Sequence, residues 1–488
     1  MVLRISAKRL TGSFRPSRFP TPVNCALQRY SSQAAAAAIT PSENISDQLP
    51  PQIPLSNADP VEDSPSGAQV KEEAPYMVKT YARPPPVFVR GKGVNLWDKE
   101  DRKYLDFTAG IAVNVLGHCD DEMAAIIAEQ AKTLVHTSNL YHNPWTGKLS
   151  KLLVEKTAEL GGMHDASAAF ICNSGTEANE AAIKFARKIG LAKSPNKRSI
   201  VSFKGAFHGR TLGALSATPN PKYQKPFGKM LPGFHSIDLN DEDAIFKMIQ
   251  NSTAGVIVEP IQGEGGVNVA LISFMLKLAQ RCKERDVVLI YDEIQCGLGR
   301  TGSFWAHSSL PREAHPDIIT TAKALGNGFP IGATIVNERV AEAINVGDHG
   351  TTFGGNPLGA RVAHNIVTRL SDRGLLKEVQ EKGQMFFDHF EKLREKYPHL
   401  IKESRGRGLI LGLQLTQDPT PIVTAARERG LLIITAGTNT LRFVPSLNIT
   451  KEEIQEGIDI LDEAIRVSTT PGQGPEGEQV KGEVDSPN

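Results

Sequence analysis

Four short groups of residues, in chain order, carry side chains suited to chemistry: Ser174-Gly175-Thr176, Phe207-His208-Gly209-Arg210, Asp292-Glu293-Ile294-Gln295, and Lys323. Lys323 follows a strand-like run, Pro316 to Ala322, and precedes the turn-rich Gly326-Asn327-Gly328-Phe329-Pro330, which puts it on a short connection. A lysine that attacks a carbonyl must shed its charge, and a dry or positive neighbourhood favours that. Asp292 stands at the C-terminal end of Val287-Val288-Leu289-Ile290-Tyr291, an apolar run of buried-strand length, where open α/β sheets bind ligands. A carboxylate there keeps a ring nitrogen protonated by charge pairing.

A phosphate fits the first group. Ala168 to Cys172 reads as a strand and passes through Asn173-Ser174-Gly175-Thr176 into a helix whose apolar positions Ala178, Ala181, Ala182, Phe185 and Ala186 recur at helical spacing. Ser174 and Glu177 are spaced as a capping box, and the free amides behind them, with Gly175 allowing close approach, suit a dianion. Phe207, after the strand-like Ile200 to Phe203, offers a ring face, and Arg210 offers a planar guanidinium for a carboxylate. Taken singly, each feature has a plainer explanation: a loop cap, a solvated lysine, an ordinary turn. In this order they are the parts that pyridoxal phosphate requires.

Six blocks sharpen this: Asn173 to Glu180, Phe207 to Thr211, Val258 to Val267, Asp292 to Gly302, Ala322 to Gly332, and Gly350 to Pro357. With them, from about Tyr76 to about Val467, the chain resembles the class III (subgroup II) pyridoxal-phosphate-dependent aminotransferases, and most of all their branch acting on acetylornithine in fungal mitochondria. The resemblance implies an α/β protein of fold type I, a large domain with a mostly parallel seven-stranded sheet plus a smaller α+β domain. It implies that Gly175 and Thr176 bind the phosphate, Phe207 stacks on the ring, Asp292 pairs with the ring nitrogen, Gln295 approaches the phenolic oxygen, and Lys323 carries the cofactor. Thr352 would reach the phosphate of a neighbouring subunit, so a homodimer with shared active sites follows. Arg210 and Thr351 match substrate positions, and Glu264 with Arg442 matches a switchable pair. That pair has its own logic: an arginine needed for one carboxylate must be silenced when an amine enters the same place.

The implied reaction moves an amino group from N-acetylornithine to 2-oxoglutarate, giving N-acetylglutamate 5-semialdehyde and glutamate, a step of arginine biosynthesis. Ornithine, 4-aminobutyrate and succinylornithine are alternative donors; a catalytically silent scaffold is an alternative of another class. No tyrosine occurs in Asp106 to His118, which favours an N-acylated donor. Two departures from the family pattern stand out. Asp120-Asp121 follows Gly117-His118-Cys119 and should alter only a helix start, and His142 replaces an aromatic near the substrate. A literal GxGxxG at Gly297 to Gly302 is declined as a dinucleotide site, because no βαβ unit with a terminal acid surrounds it.

The 488 residues carry 55 basic and 54 acidic side chains, a balance that gives no reason to expect nucleic acid, and no apolar run is long enough to span a bilayer. Arg4, Lys8, Arg9, Arg15, Arg18 and Arg29 all precede the first acid, Glu43, as in a mitochondrial presequence, which points to the matrix. Five cysteines without metal spacing fit a reduced compartment, and no metal is expected. The organisation expected is a presequence at 1–38, a disordered linker at 39–75, an N-terminal segment at 76–108 joining the small domain, a large domain at 109–359, a small domain at 360–467 and a disordered tail at 468–488.

Overall fold

The computed structural model describes residues 55–469. The expected presequence, the linker before residue 55 and the tail from residue 470 lie outside the described residues.

A seven-stranded sheet runs in the order Ala166–Cys172, Gly332–Asn337, Ile318–Thr321, Val288–Asp292, Thr253–Val258, Ser199–Phe203, Phe234–Ile237. Only Gly332–Asn337 runs against its neighbours. The central strands Thr253–Val258 and Val288–Asp292 are buried throughout because both faces are covered. Val201, Phe203, Val256, Val258, Leu289 and Tyr291 pack on one side with Phe274, Met275 and Leu278 of helix Ile272–Glu284. Their sequence neighbours Ile200, Ile257, Val288 and Ile290 pack on the other with Ala181, Ala182, Phe185 and Ile189 of helix Gly175–Lys193. Alternation with a period of two thus sorts each side chain to its layer.

A four-stranded antiparallel sheet, in the order Ile401–Arg407, Ile410–Leu415, Thr440–Phe443, Ile434–Ala436, builds the C-terminal part with helices Arg373–Lys396, Thr420–Arg427 and Lys451–Thr469. The last helix starts at the capping box read from sequence: Thr450 N donates to Glu453 Oε2 at 2.8 Å and Glu453 N to Thr450 Oγ1 at 3.1 Å. Strands Phe88–Lys92, Asn95–Asp98 and Lys103–Asp106 form a meander whose third strand pairs in parallel with Leu431–Leu432, so the N-terminal segment joins the C-terminal part.

One apolar cluster runs from Leu105 and Ile171 through Ile335, Ala360 and Phe386 to Leu413 and Leu461, and two further clusters fill the faces of the seven-stranded sheet. One expectation needs correction. The linker expected to be disordered over 39–75 is structured in its described portion. Asn57 N donates to Glu428 O at 3.0 Å, Arg427 forks onto Asp59, and a helix, Pro65–Glu73, is capped by Ser64 and tied down by Ser66 bonding Glu100. Its Pro, Ser and Asp content, which reads as disorder, instead supplies caps and ion pairs for a partner far along the chain.

Candidate active site

At the C-terminal ends of the parallel strands lies a cavity of about 370 Å³. Its walls include Ser174, Gly175, Thr176, Phe207, Arg210, Asp292, Gln295 and Lys323, so eight residues singled out from sequence meet in one place. The reason is topological: each follows a strand of the same sheet and leaves it at the same edge.

Asp292 is buried at the end of its strand and saturated with donors. Its Oδ2 accepts from Asn179 Nδ2 at 2.8 Å and lies 2.7 Å from His208 Nδ1, and its Oδ1 accepts from Ile294 N at 3.1 Å. Asn179 also donates to His208 O at 2.7 Å and accepts from Thr320 Oγ1 at 2.7 Å, which ties the loop carrying His208 and strands Val288–Asp292 and Ile318–Thr321 to the helix. Neither Asn179 nor His208 was assigned a role from sequence, although both lie inside the recognised blocks. A buried polar residue on the inner face of a predicted helix was the available signal for Asn179.

Lys323 opens a turn of 3-10 helix directly after strand Ile318–Thr321, with φ of +41°. That left-handed conformation is strained for an L residue, and hydrogen bonds on both sides hold it: Leu325 N to Ala322 O at 2.8 Å and Gly326 N to Lys323 O at 3.1 Å. Its amine affinity for protons falls to about 8, because burial disfavours the charge and Arg442 repels it, against the pull of Asp292, Glu259 and Glu264. The neighbouring Glu259 is pushed well above the usual carboxylate range by burial and by the charge of Asp292. It accepts from Phe207 N at 3.1 Å and so fixes the backbone of the ring-bearing loop.

The phosphate end differs in detail from expectation. Ser174 Oγ accepts from Glu177 N at 3.3 Å, but Glu177 returns to Asn173 N at 2.5 Å rather than to Ser174, so the box closes one residue early. Gly175 packs tightly: a Cβ there would lie 2.8 Å from Ile294 Cδ1, so that side chain would have to shift. Gly209, with φ of +138°, has Thr176 Oγ1 2.2 Å from where its Cβ would lie, which leaves that hydroxyl beside the helix start. Thr176 Oγ1 and Thr211 Oγ1 are 2.9 Å apart.

Arg442 is almost fully buried on strand Thr440–Phe443, and its Nη2 meets Glu264 Oε2 at 3.1 Å while Nη1 donates to Gln295 Oε1 at 3.2 Å. Gln295 therefore spends its carbonyl oxygen on Arg442 and keeps Nε2 as its donor. Arg210 is exposed and pairs with no carboxylate among the described residues. Thr351 and Thr352 do not line the cavity. Thr351 Oγ1 accepts from Asn173 Nδ2 at 2.9 Å, and Thr352 is exposed. His142 is exposed as well, away from the cavity wall, whereas Asp120 caps helix Asp121–Thr133 and forks with Arg369, as expected of a changed helix start. The GxGxxG run folds into turns followed by a short 3-10 helix, Ala306–Ser309, and no α-helix opens directly on it.

These residues fit pyridoxal phosphate. A carboxylate is fixed at the strand end, an amine with lowered proton affinity stands across the cavity, a phenyl ring lines one wall, and a long helix begins at the phosphate end with its first amides free of carbonyl partners.

Comparison with known proteins agrees. The sequence profile described as "Aminotransferase class-III" matches residues 76–465. The mitochondrial acetylornithine aminotransferase of Neurospora crassa is 67% identical over 412 residues, covering 84% of this chain and 89% of the relative. The N-acetylornithine aminotransferase of Stenotrophomonas maltophilia superposes with a TM-score of 0.69 at 38% identity, covering 81% of this chain and 98% of that one. An ornithine aminotransferase structure from Toxoplasma gondii, described as having partial occupancy of PLP at the active site, superposes with a TM-score of 0.74 at 33% identity, covering 81% and 93%.

Proposed function

The chain belongs to the class-III aminotransferases, and from that membership we propose that it transfers the δ-amino group of N-acetylornithine to 2-oxoglutarate, giving N-acetylglutamate 5-semialdehyde and glutamate. The observation that carries this reading is the 67% identity, over most of both chains, to an enzyme named for that donor. The relative's name includes the mitochondrion, and with the basic, acid-free first 42 residues this supports the matrix as the site of an arginine-forming step.

Pyridoxal phosphate, when bound, supplies an aldehyde that accepts the amine and a ring that draws electrons from the carbon losing its proton. Asp292 keeps a negative charge, backed by Asn179 and His208, where a ring nitrogen needs its proton. Lys323, with its affinity lowered to about 8, has enough neutral amine near physiological pH to act both as attacking group and as the base that takes and returns the substrate proton. Gly175 and Thr176 offer amides to the phosphate, Phe207 stacks on the ring, and Gln295 donates from Nε2. Arg210 grips the far carboxylate of either substrate bidentately. Glu264 covers Arg442 while the donor's amine enters, and uncovers it for the α-carboxylate of 2-oxoglutarate. In this reading 109–359 carry the cofactor, and 76–108 with 360–467 carry Arg442 and close the site.

Two copies complete each site. Asn139 Nδ2 donates to Thr351 O at 3.0 Å, which brings the segment carrying exposed Leu140 and Tyr141 to that of Thr351, Thr352 and exposed Phe353, and a closed pair would bring Thr352 to the neighbour's phosphate and Thr351 to its substrate.

The test is a donor panel with purified enzyme, scored by glutamate formed. N-acetylornithine should exceed ornithine, 4-aminobutyrate and succinylornithine in kcat/KM by at least about tenfold. A larger kcat/KM for another donor overturns the assignment, and absence of transamination with all four revives the scaffold reading.

A further inference from the structure

Three contacts meet at Tyr223, a half-buried residue on the short helix Pro221–Gln224. Its hydroxyl donates to Glu264 Oε1 at 3.1 Å. The guanidinium carbon of Arg210 lies 3.7 Å from its ring centroid, and the same ring meets Phe207 edge-on at 6.1 Å. The other oxygen of Glu264 takes Arg442 Nη2 at 3.1 Å. One aromatic side chain therefore touches the acid of the switchable pair, the arginine for the substrate carboxylate, and the ring that lines the cavity. We propose that Tyr223 is a specificity-determining positioning residue: its hydroxyl holds Glu264 against Arg442, and its ring holds Arg210 in place for a carboxylate.

This rests on reading Glu264 and Arg442 as a switch. The physical need is clear from exposure. Glu264 keeps about a third of its side-chain surface open (34%), against 2% for Arg442, so the acid is the less enclosed member and a second hydrogen bond helps to hold it. Burial, and then the charge of Glu264, raise the proton affinity of the phenol, so the hydroxyl stays a donor across the working pH range. Arg210 is exposed and has no carboxylate partner among the described residues; its guanidinium lies over two rings, Tyr223 at 3.7 Å and Phe207 at 5.5 Å, so the nearer face, that of Tyr223, is the main platform that orders it before substrate arrives.

The experiment separates hydroxyl from ring. Tyr223→Phe removes only the donor to Glu264 and should shift the ratio of single-turnover rate constants against N-acetylornithine, relative to glutamate, by about five- to thirtyfold. Glutarate, a dicarboxylate of the right length that cannot react, should bind this variant severalfold more tightly by calorimetry, because Arg442 is uncovered more often. Tyr223→Leu should instead raise the KM of both half-reactions as Arg210 loses its platform. Glu264→Gln is the control for the switch itself. If it shows the one-sided loss while Tyr223→Phe leaves the ratio and the glutarate affinity unchanged, the role of Tyr223 is overturned and the switch survives. If Glu264→Gln slows both halves equally, the switch fails and the proposal falls with it. Should Tyr223→Leu not fold, the Phe variant, which keeps the ring, still decides.

Discussion

The role proposed for Lys323 depends on its charge being unwelcome where it sits. No other amine among the described residues lines the cavity, so Lys323→Ala should abolish transamination, by more than about a thousandfold, and remove the absorbance of the covalently held cofactor. Near-normal turnover would place the attacking amine elsewhere. The proton affinity of about 8 carries a pH prediction with a definite sign. Capture of added pyridoxal phosphate by cofactor-free enzyme needs the neutral amine, so its rate should climb with pH up to about 8 and flatten above it. The same shift bears on stability. The folded-state value lies below the ordinary 10.5, so the lysine opposes folding in full below about pH 8, and that opposition fades as pH rises toward 10.5. Lys323→Met should therefore raise the melting temperature of the cofactor-free protein at pH 7, with a gain that shrinks above pH 8; a gain independent of pH would show that packing, not charge, is responsible.

Helix Gly175–Lys193 does two jobs at the scale of elements: its first turn lines the cavity, and its buried Asn179 bonds Asp292 and Thr320 on two neighbouring strands and the His208 carbonyl on the loop after a third. Asn179→Ala would leave Asp292, His208 O and the Thr320 hydroxyl each short of a partner in a dry setting, at a cost of about 2–4 kcal/mol in urea unfolding. It should also weaken cofactor affinity, because Asp292 loses one of its three donors. Ser174→Ala removes only the helix cap and should cost about 1 kcal/mol. If the two variants were equal in cost, Asn179 would be an ordinary helix residue.

At the scale of the whole molecule, the continuous apolar core means that the two parts share side chains across their boundary. Arg300 adds a polar tie: fully buried, with its affinity lowered to about 9 by burial, it donates to Leu409 O at 3.0 Å and to Pro445 O, binding the loop after Gln295 to the segment that carries Arg442. The proposed pairing of two copies belongs here too. Light scattering should give twice the chain mass or a multiple of it, and Phe353→Asp should lower both the mass and the cofactor content. An active, cofactor-loaded monomer would contradict the shared site.

The chemistry was legible in the sequence because its residues sit beside local signals. Asp292 and Lys323 end apolar strands, Ser174 starts a periodic helix, and Thr450 with Glu453 spells a capping box. Those signals depend only on neighbours within about a helical turn or a strand length, which one chain displays by itself. What only the tertiary structure decided are relations between distant residues. Nothing near Tyr223 in sequence points to Glu264 or Arg210, nothing near Asn179 points to Asp292, and the polar stretch around Asp59 gives no hint of Arg427, 368 residues away. Gly175 shows the same division: its place at a helix start was readable, but the side chain that crowds it, Ile294, arrives from another strand's loop. Hydrogen bonds and packing act through space, so partners brought together by the sheet carry no mark of each other along the chain.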